Sequence, residues 1–190
     1  MWSTEEFGAS HEGQPGVVLA DGVEPGPVFF DTGSGSHVHQ STSWWVYDGS
    51  LRSPVAAQLR GACSCGWRGE SLYPIDWDDV DRREPYAYDT TGPQDDWARH
   101  IAEVEAGTVP LPDDVAELLG QVQARLDTLA EVAPLAALRA VAALERATHR
   151  AGRMAANLAA ADDATGEQVG PALGIAPDKA RSLLTHYGLR

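Results

Sequence analysis

The only two cysteines of the chain stand one residue apart, in Cys63-Ser64-Cys65-Gly66-Trp67. In a reducing compartment such a pair is more often half of a metal site than a disulfide. A bridge between residues i and i+2 would also be strained. Two thiolates need two further ligands to complete a tetrahedral soft-metal site. The histidines considered are His37 and His39 upstream and His100 downstream, the last within Asp96-Trp97-Ala98-Arg99-His100. Side chains at i and i+2 of a strand share a face. His37 and His39 therefore project together, as do Cys63 and Cys65, and two paired strands would aim them at one point. The set favoured on this reading is Cys63, Cys65, His100 and His39, with His37 as the alternate to His39. The competing set is His37, His39, Cys63 and Cys65, which leaves His100 free. Gly66 lets the chain turn past the metal, and Trp67 and Trp97 are placed to cover it. The expected cofactor is a structural Zn2+. Buried cysteines without metal, or a redox pair, are the readings set against it.

The 190 residues suffice for one domain or two small ones. Glycine and proline crowd into the first half, so the helices are expected mainly in the second. The resulting expectation is an α+β chain in three stretches. Residues 1–107 form an acidic β-rich zinc-binding domain, 108–134 a linker and amphipathic helix, and 135–190 a long helix plus a helix-turn-helix-like module. In the first stretch, 16–20 and 27–30 read as strands flanking an Asp21-Gly22 turn. His37–Tyr47 is β-branched and aromatic and ends at Asp48-Gly49, and Val55–Trp67 supplies the next strand. The acidic run Asp76–Asp81 lacks the glycine and terminal glutamate of an EF-hand loop and reads as solvated loop. A helix starts at Gln94 and stops at Gly107. Beyond Val109-Pro110-Leu111-Pro112, Asp113 is the expected N-cap of a helix over 114–132, with Val115, Leu118, Leu119, Val122, Leu126 and Leu129 at helical spacing. Pro134 breaks it, and an Ala-rich helix runs over 135–161. The stripe falls short of the sustained heptads of a coiled coil. Helices 114–161 suit a hairpin or a homodimer interface.

Thr165-Gly166-Glu167-Gln168 has the form of a capping box. It opens a short helix that ends at Gly174, and Pro177 sits at the first position of another, where its missing N–H costs nothing. Helix, glycine turn, helix is the order of a helix-turn-helix. On that reading the exposed side of the last helix carries Asp178, Lys179, Arg181, Ser182, Thr185 and His186. Arg146, Arg150 and Arg153 line one face of the preceding helix and add backbone contacts to DNA.

Two resemblances attach to these residues. CSCGWRG followed by DWARH resembles small actinobacterial zinc-finger-like domains with a Cys-x-Cys-Gly-Trp…Trp-x-x-His pattern, over residues 36–106. The resemblance implies a structural metal, completed in that family by an upstream histidine, and no catalytic open site. The insertion between Trp67 and Trp97 is longer than in the compact version. TGEQVGPALGIAPDKARSLL resembles bacterial helix-turn-helix segments, and with the preceding helix this covers 135–190. Pro171 within the first helix departs from that pattern.

The charge is lopsided. Residues 1–134 hold seven arginines against 23 acidic residues, whereas 135–190 hold six arginines and one lysine against five acidic residues. An acidic front repels nucleic acid and anionic lipid, which leaves the tail to meet DNA. The sequence lacks a signal-peptide pattern at Met1–Glu6 and any apolar run of transmembrane length, which points to the cytoplasm and away from membranes. The expected function is a double-stranded-DNA-binding protein of the transcription-regulator class. The alternative is a non-enzymatic adaptor that engages a protein partner through the acidic zinc module. No nucleophile triad, phosphate loop or paired-carboxylate site is recognisable, so an enzyme is not expected.

Overall fold

The computed structural model describes residues 1–30 and 39–188. The chain is α+β and divides into two compact units, Met1–Ala106 and Gly107–Arg190. The first holds all the described strands: β1 (Gly13–Leu19), β2 (Val28–Phe30), β3 (His39–Ser41), β4 (Ala56–Cys63) and β5 (Tyr73–Pro74). β1, β4 and β5 form an antiparallel sheet in the order β1-β4-β5, while β2 and β3 pair separately. The helix α1 (Thr91–Gly107) closes this part of the chain.

Expected and observed strands differ in instructive ways. The turn at Asp21-Gly22 is present, with the Leu19 amide bonded to the Val23 carbonyl. The strands on either side of it do not pair with each other, since β1 is taken by β4 and β2 by β3. Among the described residues of the segment expected as a strand over 37–47, His39–Ser41 forms a strand, and Trp44–Val46 forms a 3-10 turn. Trp44 and Tyr47, each 2% exposed, both point into the core. Residues three apart share a side on a tight helical turn but not on a strand. They pack with Val17, Ala56, Leu59 and Val80. The Tyr47 hydroxyl donates to the Gly26 carbonyl at 2.9 Å, and the Trp77 indole N–H to the Ala56 carbonyl at 2.8 Å. The acidic run is a loop as expected, with Asp76, Asp78 and Asp79 exposed. Its Val80 and half-buried Trp77 anchor it to the core.

The second unit consists of α2 (Asp113–Val132), α3 (Pro134–Ala161), α4 (Gly166–Ala172) and α5 (Pro177–Tyr187). Asp113 is the first helical residue rather than the cap, which is Pro112. The break between α2 and α3 falls at Ala133, and Pro134 opens α3. The Thr165 amide donates to Gln168 Oε1 at 2.9 Å, as a capping box requires. Pro171 is tolerated one residue before the end of the seven-residue α4. That helix ends in a Schellman arrangement, with the Ile175 amide bonded to the Gly170 carbonyl, the Gly174 amide to the Pro171 carbonyl, and Gly174 left-handed at φ 61°. No described helix is long and apolar enough to cross a membrane.

Candidate metal centre

The sheet register sets out the site. β1 runs antiparallel to β4 with Gly13 opposite Cys63. The chain leading into β1 therefore passes the end of β4, where the cysteines lie. His11 closes the 3-10 turn Gly8–His11 just before β1. Cys63 is the last residue of β4, but Cys65 lies beyond it in a turn rather than on the same strand face. In that turn the Gly66 amide bonds to the Cys63 carbonyl at 3.0 Å and the Cys63 amide to the Trp67 carbonyl at 3.0 Å. Gly66 has φ +98°, a conformation that side chains oppose. The helix α1 brings His100 to the same point, one turn after Asp96 and Trp97.

Four ligand atoms, one each from His11, Cys63, Cys65 and His100, all lie within 4.8 Å of one another. Cys63 Sγ is 3.5 Å from His11 Nδ1, and Cys65 Sγ is 3.4 Å from His100 Nε2. A tetrahedral ion with zinc-like bond lengths would hold its sulfur and nitrogen ligands ~3.5 Å apart. The two pairs thus already stand at the edge length of such a tetrahedron. His11, Cys63 and His100 are buried and Cys65 half-buried. Trp67 stacks on His100 with ring centres 4.4 Å apart, and Phe7 packs edge-on to His11 at 5.3 Å. Trp97 and Ile101 pack against Cys63.

Ser64, between the cysteines, ties their turn to the His11 segment. Its amide donates to the Glu12 carbonyl at 2.8 Å, and its hydroxyl donates to the Ala9 carbonyl at 3.1 Å and accepts from the Glu12 amide at 3.0 Å. The Trp67 amide points at Cys65 Sγ, 3.5 Å away, which favours a thiolate there. Burial nevertheless pushes the Cys65 thiol up from 9.0, helped by its neighbour Cys63. Burial holds His100 below 6.5, with the His11 charge pressing the same way. A neutral His100 is the metal-binding form. The four groups could hold a metal ion, with every ligand drawn from the protein.

The sequence-predicted ligands are therefore placed as follows. Cys63, Cys65 and His100 converge, and His11 stands where His39 was expected. His39 is exposed on β3, its ring 6.0 Å from Phe30, because β3 pairs with β2 and not with the cysteine strand. His37 lies outside the described residues. The signal for His11 was non-local: only the pairing of 13–19 with 56–63 carries a histidine 52 residues upstream to Cys63.

At the other end of the chain, Asp178, Lys179, Arg181, Ser182, Thr185 and His186 are all exposed on α5, opposite buried Ala180. Arg181 forms an ion pair with Glu167 of α4. Ser182 and Thr185 hydroxyls donate back to the Asp178 and Arg181 carbonyls at 3.0 and 2.9 Å. The His186 ring lies against Tyr187 and against His149 of α3. Arg146, Arg150 and Arg153 are exposed on α3. Comparison with protein-family models, with curated proteins and with solved structures finds no match.

Proposed function

We propose that the protein is a non-enzymatic DNA-binding protein, of the transcription-regulator class, whose first unit is held together by a structural zinc ion. Zinc is favoured by the ligand chemistry: two thiolates and two imidazoles at tetrahedral spacing suit it better than harder cations. A thiolate site of this kind fits a reducing compartment, which the cytoplasm provides. The observation that carries the DNA reading is the α4–α5 pair. A glycine turn joins two short helices, and the second presents Lys179, Arg181, Ser182, Thr185 and His186 on one exposed side. Such a helix, entering the major groove, would offer hydroxyls and an imidazole to base edges and its two cations to phosphates. The test is fluorescence anisotropy with labelled duplex fragments over a salt series. Binding should weaken steeply with salt, and Lys179→Ala should lower both the affinity and the salt slope, the latter by about one. Absence of duplex binding at low salt would remove the reading.

A second reading rests on a specific contact. Arg181 is already engaged by Glu167, so α5 has less charge to give to phosphates. The first unit holds six arginines against 18 acidic residues. An adaptor that docks this acidic unit on a basic protein partner accounts for both features. It predicts a salt-sensitive protein complex and no duplex binding.

A further inference from the structure

We propose that the α2–α3 hairpin is a homodimerisation surface, on which two copies of the chain stack hairpin against hairpin as a four-helix bundle. This does not depend on what α5 binds. α2 is 20 residues long and buries none of them. Its Val115, Leu119, Val122, Leu126 and Leu129 recur in steps of four and three, the spacing of a helix-packing seam. Leu126 and Leu129, near the turn, are half-buried, and Ala137 across the turn is buried. Elsewhere on the hairpin, Leu118 and Leu119 are 57% and 55% exposed, and Leu138, Met154 and Leu158 are 65%, 65% and 64% exposed. The two helices thus cover each other only in part along their length.

On the side where the two helices face each other, Val115, Leu118, Leu119 and Val122 of α2 and Val141 and Leu144 of α3 leave uncovered the equivalent of between two and three whole residues. That is on the order of 450 Å², as large as the largest apolar patch of a typical monomer. Two helices with so little mutual burial also lack a core of their own, because helix stability in proteins comes mainly from packing an apolar face.

The charge pattern selects a second copy as the occupant. α2 carries five acidic residues and one arginine, and α3 carries four arginines and one glutamate. A two-fold stack that sets α2 of one copy against α3 of the other gives every helix neighbours of opposite sign. A partner of one sign would suit only one of the two helices.

Sedimentation equilibrium of the full, metal-loaded chain tests this. The expected mass is twice the 20.3 kDa of one chain at concentrations up to about 100 µM. Leu118→Glu with Leu119→Glu should raise the dimer dissociation constant at least about a hundredfold, and the milder Leu119→Ala, which keeps helix propensity, about tenfold. Ala124→Glu, on the opposite side of α2, should leave the mass unchanged. A monomeric wild-type chain, a folded Leu119→Ala variant as tightly dimeric as wild type, or dissociation by Ala124→Glu would each overturn the proposal.

Discussion

Gly13 lies opposite Cys63 in the β1–β4 ladder, and through that pairing a histidine far upstream reaches the two cysteines. The consequence for ligand identity is direct. His11→Ala should lower metal affinity by more than the 10–100-fold typical of losing an outer-shell partner, since it deletes a ligand. His39→Ala should leave the affinity at the wild-type value. Competition against a chromophoric chelator measures both. Equal losses in the two variants would contradict the assignment of His11.

The metal should stabilise one unit and spare the other. All six tryptophans fall within residues 1–106, so indole fluorescence reports the first unit, while far-UV circular dichroism is dominated by the helices of the second. Chelation should lower the fluorescence-detected transition by about 4 kcal/mol if metal had been present at 1,000 times its dissociation constant. The bulk of the helical signal should melt where it did before. A common shift of both signals would show that the units unfold together.

How much of the fold and site is legible in the sequence depends on range along the chain. The helices rest on local signals: the spacing of Val115 to Leu129, Pro134 at the start of α3, the Thr165–Gln168 capping pair. Those survive in three dimensions because they are satisfied within one or two turns. Cys63, Cys65 and His100 stood out by residue type and by the tryptophans beside them. His11 did not, because its place is set by strand register, and a histidine nearer in sequence drew the assignment. The 37–47 stretch misled for a related reason. Its β-branched and aromatic composition suits a strand, yet burying both Trp44 and Tyr47 requires a turn with a period near three.

Ser64 gives a subtler test of how the Cys-x-Cys turn is held. Its hydroxyl bonds to both Ala9 and Glu12 on the segment that carries His11. Ser64→Ala should cost about 1 kcal/mol of first-unit stability per net hydrogen bond lost. Metal affinity should fall about tenfold, as for other residues that orient a ligand. Fluorescence-detected urea unfolding with and without chelator separates the two effects.

The pH dependence of the metal-free protein has a definite sign. His100 titrates below 6.5 in the fold because of burial and the His11 charge. The unfolded chain thus binds more protons than the folded one just below 6.5. This contribution to stability is complete above 6.5 and is lost as the pH falls through the folded value. The Cys65 thiol, raised above 9.0 by burial, behaves in the opposite sense. Its contribution is complete below 9.0 and disappears as the pH rises through the folded value. Chelated protein should therefore lose stability on both sides of neutrality in urea titrations followed by fluorescence. With metal present the acid side should steepen, because protons must be put back on the thiolates before the metal leaves.

The packing of α4 on α5 can be probed at Gly166. A Cβ there would stand 2.7 Å from the Pro177 carbonyl oxygen and 2.4 Å from Arg181 Cγ. The arginine stem can swing away, but Pro177 is backbone and opens α5, so α5 itself must move. Gly166→Ala should therefore cost about 1–3 kcal/mol, the range for overpacking a tight contact. Two opposing effects bear on the net value. Alanine is the better helix former by up to about 1 kcal/mol, while the shift of α5 disturbs the Arg181–Glu167 pair, which is exposed and worth little. The clash should prevail. The far-UV transition should fall while the fluorescence transition and metal content remain at wild type. An unchanged far-UV transition would mean that α4 and α5 are not packed as tightly as Gly166 requires.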